Sequence, residues 1–156
     1  MIVAALLMAM QVAIQDPRLD RLDPDTRAQV IAVVDSARQA GLPVEPLVQR
    51  ALEGATKAAP GTRIVAAVHR IAADLGAART ALGNNASAPE LEAGVAALRA
   101  GAPPQVLADL RSVRRSSLTM ALSVLADLVA SGVPADSAAA AAVSYTHLTL
   151  PTIYSV

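Results

Sequence analysis

Few residues in this chain have the type and spacing to do chemistry. His69 is the only histidine before residue 147. Acid–base work would need a partner carboxylate and a cleft. Arg70 and Asp74 follow on the same stretch, but Asp74 lies five residues on, off the face a helical His69 would share. His69 is therefore expected at the surface, and one histidine with no HExxH-type spacing makes no zinc site. Asp16, Asp20, Asp23 and Asp25 cluster around Pro17 and Pro24, but the alternating ligands, central glycine and late glutamate of a calcium loop are missing. No serine stands in a nucleophile elbow or an SxxK pattern, and Ser116–Ser117 reads as a helix cap. Gly54, Gly61 and Gly76 are isolated and make no phosphate loop. Arg111, Arg114 and Arg115 form one basic cluster at a helix end, where it complements the dipole. The same cluster has the chemistry to hold an anion or a partner carboxylate. No catalytic, cofactor-binding or metal residue is assigned, no cofactor is implied, and the reading leans away from an enzyme.

The elements that would position these residues are helices. Across residues 25–142 apolar residues recur at helical spacing, which predicts an all-α fold of about six to seven helices. The expected helices are 25–40 (Val30, Val33, Val34 and Ala37 inward), 46–57 (Leu47, Val48, Ala51, Leu52, Ala55) and 62–82. In the last, Ile64, Val68, Ile71, Leu75, Ala78 and Leu82 form one seam. Ser87 and Glu90 form a capping-box pair opening a helix to Ala100. Further helices are expected over 103–113 (Val106, Leu107, Leu110, Val113), from Ser116 or Ser117 (Leu118, Leu122, Leu125, Leu128, Val129) and after Pro134 up to Ala142. Three corners share one grammar: Gly41-Leu42-Pro43, Gly101-Ala102-Pro103 and Gly132-Val133-Pro134. Glycine ends the helix, an apolar residue packs back, and proline forbids continuation. Their spacing of 60 and then 31 residues leaves two architectures open, an irregular bundle or a short helical-repeat array.

Composition narrows function further. The chain has 156 residues with 13 basic and 13 acidic side chains, so its net charge is zero. A nucleic-acid binder would show a basic excess or stripe, so none is expected. With no cysteine, disulfides, thiolate metal sites and cysteine nucleophiles are excluded. Alanine supplies 36 residues, and arginine outnumbers lysine twelve to one, a bias that GC-rich coding explains.

Both ends differ from this middle. No charge precedes Asp16, and Ile2–Met10 is continuously apolar, extended by Val12, Ala13 and Ile14. Fourteen helical residues rise about 21 Å, short of the roughly 30 Å hydrocarbon core, so no stable transmembrane span is expected. Residues 1–15 read as a secretory signal peptide cut near Ala13–Gln15. It lacks a basic start, which an upstream segment would supply if Met1 is internal. The competing reading is a buried N-terminal helix. Residues 16–24 read as an acidic, proline-containing linker, with Asp23 as cap and Pro24 in the first turn of the helical domain.

Residues 143–156 carry both tyrosines of the chain, Tyr145 and Tyr154, and turn from alanine-rich to β-branched, which predicts an extended run. The codons GTC TCT TAT ACA CAT CTG ACG CTG CCG ACG reproduce Val143–Thr152 residue for residue. The stretch resembles the translated end of a transposase-type sequencing adapter. That resemblance implies a non-native tail, a helical domain truncated after Ala142, and no evidential weight for His147 or the tyrosines.

The expectation for function is a non-catalytic, secreted or periplasmic helical domain that binds a protein partner through an apolar helix groove. The alternative is the helical N-terminal part of a longer, cytoplasmic or exported protein, an enzyme included, whose active residues lie downstream. A membrane-surface role is disfavoured, since no helix pairs its apolar stripe with a Lys/Arg-rich face. The sequence assigns no oligomeric state.

Overall fold

The computed structural model describes residues 16–114 and 116–148, the last four by their backbone alone. A 3-10 turn, Pro17–Arg21, leads into seven helices: α1 (Pro24–Gln39), α2 (Glu45–Thr56), α3 (Gly61–Leu82), α4 (Ala88–Ala100), α5 (Pro104–Val113), α6 (Thr119–Ala130) and α7 (Ala135–Leu148). The all-α expectation is met. The signal-peptide reading of residues 1–15 lies outside the described residues.

The helix starts follow from local chemistry. Asp23 accepts the Thr26 N–H at 3.0 Å, with Pro24 in the first turn where no donor is needed. Thr26, through its side chain and its backbone, holds the Asp23 carboxyl below its usual range. Ser87 and Glu90 close a complete capping box, with Glu90 Oε2 accepting the Ser87 N–H at 2.8 Å.

The helix ends repeat one device. Gly41, Gly101 and Gly132 all have positive φ (69°, 109° and 90°). In each case the glycine N–H bonds the carbonyl three residues back, and the next N–H reaches five residues back: Leu42 to Ala37 (2.9 Å), Ala102 to Ala97 (3.0 Å) and Val133 to Leu128 (3.0 Å). These are Schellman closures. Each is followed by proline, and four residues beyond that proline the chain buries a side chain completely: Leu47, Leu107 and Ala138 are each 0% exposed.

A fourth closure carries no glycine. Ala58 N–H bonds Ala55 O, and Ala59 N–H bonds Gly54 O, both at 3.0 Å, with Ala58 at φ 50° and Pro60 two residues on. The left-handed region costs a non-glycine residue about 1–2 kcal/mol, and the looser unfolded chain offsets about 0.4–1 kcal/mol of that when glycine replaces alanine. Ala58→Gly is therefore expected to stabilise by about 0.5–1 kcal/mol in a urea melt; a loss of stability would contradict the closure.

The helices pack in order. α3, about 33 Å long, contacts α1, α2, α4 and α5; α4 packs on α6, α6 on α7, and α5 on α7. Every substantial helix–helix contact thus joins elements one or two places apart in the chain. These local pairings assemble an all-α bundle of seven helices whose unit lengths are irregular. One continuous core runs through it, and Leu19, Leu47, Leu75, Leu82, Leu91, Leu107, Leu118, Leu122 and Leu125 are its fully buried leucines.

The structure corrects four local expectations. Residues 16–24 are more than a solvated linker: Leu19 and Leu22 are buried, because the 3-10 turn directs both onto the core while its carboxylates stay outside. Val113 is 70% exposed rather than inward, because it stands at the last residue of α5 on the lip of an open groove toward α7. Ser116–Ser117 is not the α6 cap. The N-cap is Leu118, whose own N–H is accepted by Glu90 Oε1 at 2.8 Å. Finally, α7 continues past Ala142 to Leu148 where an extended run was expected. Residues 143–148 contain no proline or glycine, and their propensity penalties are only tenths of a kcal/mol each.

Candidate functional site

The 3-10 turn, α1 and α2 enclose a groove of about 420 Å³. Its walls follow from how the turn is anchored. Leu19 inserts into the core at 2% exposure, and Asp16 caps the turn by accepting the Arg18 N–H at 2.9 Å. Arg18 then clamps the turn to the start of α2, donating to Glu45 Oε1 at 2.9 Å and Oε2 at 2.8 Å, and to Asp16 Oδ2 at 2.6 Å. The apolar surface inside this clamp comes from Leu19, Ile31, Val34, Val44 and Val48. Ile31 and Val44 are half-buried, leaving apolar surface accessible from the groove.

The rim is charged but internally matched. Asp16 and Glu45 share Arg18, and Asp35 pairs with Arg38 one turn along α1. Arg18, with help from Gln49, holds the Glu45 carboxyl down at about 2, and Arg18 likewise lowers Asp16. These pairs are solvent-accessible and screened by water, so they add little to stability. Their consequence for recognition is larger. Each of the three rim carboxylates has an arginine neighbour, with Asp16 and Glu45 sharing one, so the rim carries one net negative charge above an apolar floor.

The chemistry-bearing residues named from sequence go elsewhere. His69 is exposed on α3, facing a shallow depression against α1, and Arg70 is exposed beside it. Asp74 does not face His69. It accepts Arg99 Nε at 2.9 Å and Nη2 at 2.5 Å, tying α3 to α4. The basic cluster is divided. Arg114 Nε donates to Ser116 Oγ at 2.8 Å, while Arg111 turns inward and donates to Glu90 Oε1 at 2.8 Å. Ser117 Oγ accepts the Thr119 N–H at 3.4 Å, a local turn contact. Among the described residues no group of three His, Cys, Asp or Glu is placed to hold a metal ion.

Glu90, read from sequence only as half of a capping box, is the most connected buried polar side chain among the described residues. It is 4% exposed. Oε2 accepts the Ser87 N–H and hydroxyl at 2.8 and 3.1 Å, and Oε1 accepts the Leu118 N–H and Arg111. Burial pushes this carboxyl up, but the donors from Ser87, Leu118 and Arg111 together outweigh it and hold the group at about 2. One side chain thus locks the starts of α4 and α6 to the last turn of α5. Its lone pairs are spent inside the fold, so its role is structural.

No family model matches this chain, and no curated protein or solved structure matches it either. Among the described residues no helix is long and apolar enough to cross a membrane.

Proposed function

We propose that this chain is a helical binding module whose partner lays an apolar helix face, uncharged along the contact, into the groove between the 3-10 turn, α1 and α2. The observation that carries the reading is the groove itself: five aliphatic side chains under a rim whose charges are mutually paired. Helix-in-groove recognition uses such an apolar floor, because anchors at i, i+3, i+4 and i+7 are desolvated on docking while a solvent-accessible rim stays hydrated. The apolar, charge-free run before Asp16 supports export, with the secreted or periplasmic compartment as the working site.

The test uses the form recovered from the periplasm of an expressing bacterium, its N-terminus fixed by mass spectrometry. The ligand is a fluorescent 14-residue helical peptide with Leu at i, i+3, i+4 and i+7 and neutral polar residues elsewhere. Saturable binding is expected, weakened at least tenfold by Ile31→Asp with the helical circular dichroism unchanged. Binding unaffected by Ile31→Asp, or no binding, overturns the groove. Recovery of the chain only in the cytoplasm overturns export.

A second reading has its own support. The match of Val143–Thr152 to a translated adapter favours a helical part of a longer protein, with the working residues downstream. A long amplicon of the locus, sequenced without transposase adapters, tests it. A frame that departs from this sequence after Ala142 supports it, and confirmation of Val143–Val156 with a stop codon overturns it.

A further inference from the structure

A second groove, of about 250 Å³, lies between α5 and α7. Each of its walls is one helical stripe. α5 presents Val106, Asp109, Leu110 and Val113. α7 presents Asp136, Ala139, Ala140 and Val143. Both sets are spaced i, i+3, i+4 and i+7, so each helix turns one continuous face into the groove. Val106 and Leu110 are buried, while Val113 stays open on the lip. On the other wall Ala139 and Ala140 are small enough to let a further backbone come close. Two such stripes side by side make a seat for a third helix, packed ridges into grooves.

Charge selects the occupant. Asp109 and Asp136 stand one on each wall, both exposed, and no lysine or arginine lines the groove. The Asp109 carboxylate accepts the neutral Gln105 amide at 2.9 Å. Among the described residues neither carboxylate has a basic partner. The groove beside the 3-10 turn differs, because each carboxylate there has an arginine neighbour. A helix whose apolar stripe is flanked by lysine or arginine would cover Val113 and set its cations against both carboxylates. A second copy fits poorly. Val113 and Met120 are the only exposed large hydrophobics among the described residues, so no described helix offers another copy an apolar stripe. The same two carboxylates repel an anionic lipid or nucleic-acid surface.

We propose that the groove between α5 and α7 is a further docking site, taking a basic amphipathic helix of another protein, independent of the groove beside the 3-10 turn.

Fluorescence anisotropy on the full chain tests it. The probe is a 14-residue helical peptide with Leu at i, i+3, i+4 and i+7 and Arg at the flanking positions, and its Gln-for-Arg counterpart is the neutral control. All titrations use an Ile31→Asp background, which removes the first groove from the signal, and helical circular dichroism verifies each fold. The basic peptide is expected to bind at least tenfold more tightly than the neutral one. Asp109→Asn combined with Asp136→Asn should abolish that preference. Glu92→Gln combined with Asp127→Asn changes the charge equally at exposed positions outside the groove and should leave it intact. Ala140→Arg, also at an exposed position, adds bulk and like charge and should weaken the basic peptide at least tenfold. Equal affinity of the two peptides, no binding of the basic one, or binding insensitive to Ala140→Arg overturns the proposal. An equal loss in the Glu92→Gln, Asp127→Asn variant reduces the effect to net charge and overturns it as well. A dimer in sedimentation that Ala140→Arg dissociates would put a second copy in the groove, with the same consequence.

Discussion

Replacing Glu90 by glutamine is expected to cost about 3 kcal/mol in a urea melt at pH 7, although the side chain keeps its size. Both carboxylate oxygens face donors: the Ser87 N–H and hydroxyl on one side, the Leu118 N–H and Arg111 on the other. An amide has a single acceptor oxygen, so whichever way it turns, its NH2 meets a backbone N–H and leaves that buried donor unsatisfied. An orphaned buried donor costs about 1–3 kcal/mol, and removing one partner of a buried charge pair costs about 3–5 kcal/mol. Glu92→Gln, two residues on and exposed, is the matched control and should stay within about 0.5 kcal/mol. The same site sets an acid limit. A carboxyl held at about 2 in the fold, against an ordinary value of 4.5, contributes stability that is fully present above pH 4.5 and is lost as the pH falls toward 2. Wild type should therefore lose its advantage over Glu90→Gln across that window. A constant difference between the two from pH 6 to pH 2 would contradict the assignment.

Gly61→Ala should destabilise by about 2 kcal/mol, against the gain of up to about 1 kcal/mol that alanine normally brings to a helix. A Cβ at Gly61 would lie 1.9 Å from Thr26 Oγ1 and 3.2 Å from Thr26 Cβ. Thr26 is 4% exposed, and both its hydroxyl and its N–H engage Asp23, so it cannot turn aside without loosening the cap of α1. The start of α3 would have to move off the start of α1. Because the clash is with one side chain, it should be largely relieved in a Thr26→Ala background, with a coupling of at least about 1 kcal/mol in the double-mutant cycle. Strict additivity would place the cost elsewhere. Gly76, also on α3, has nothing within 4 Å of a built Cβ, and there the ordinary gain from alanine is expected.

What was legible in sequence was mostly local. The helix limits fall within a residue or so of those read from apolar spacing, apart from the start of α6 and the end of α7, because Asp23, Ser87, Glu90 and the three Gly–apolar–Pro corners act on their own neighbours. Ala58 was missed because alanine does not signal a left-handed residue, although Pro60 stands two residues beyond it as in the other corners. The Glu90 hub was legible only in part. Ser87 is three residues away, but Arg111 and Leu118 are 21 and 28 residues away, and no local pattern brings them together. Val113 shows the converse error: its spacing matched an inward face, and only packing determines whether another helix covers that face. The groove is a tertiary feature of the same kind. Leu19, Ile31, Val34, Val44 and Val48 come from three elements, and the pairing of Arg18 with Glu45 spans 27 residues.

The most direct measurement is a backbone-amide NMR titration of the periplasm-recovered form with the neutral amphipathic peptide. The account expects shift changes concentrated on residues 16–22 and on the groove-facing positions of α1 and α2, with Ile31, Val34, Val44 and Val48 among the largest. Changes centred on α5 and α7, or none at saturating peptide, would contradict it.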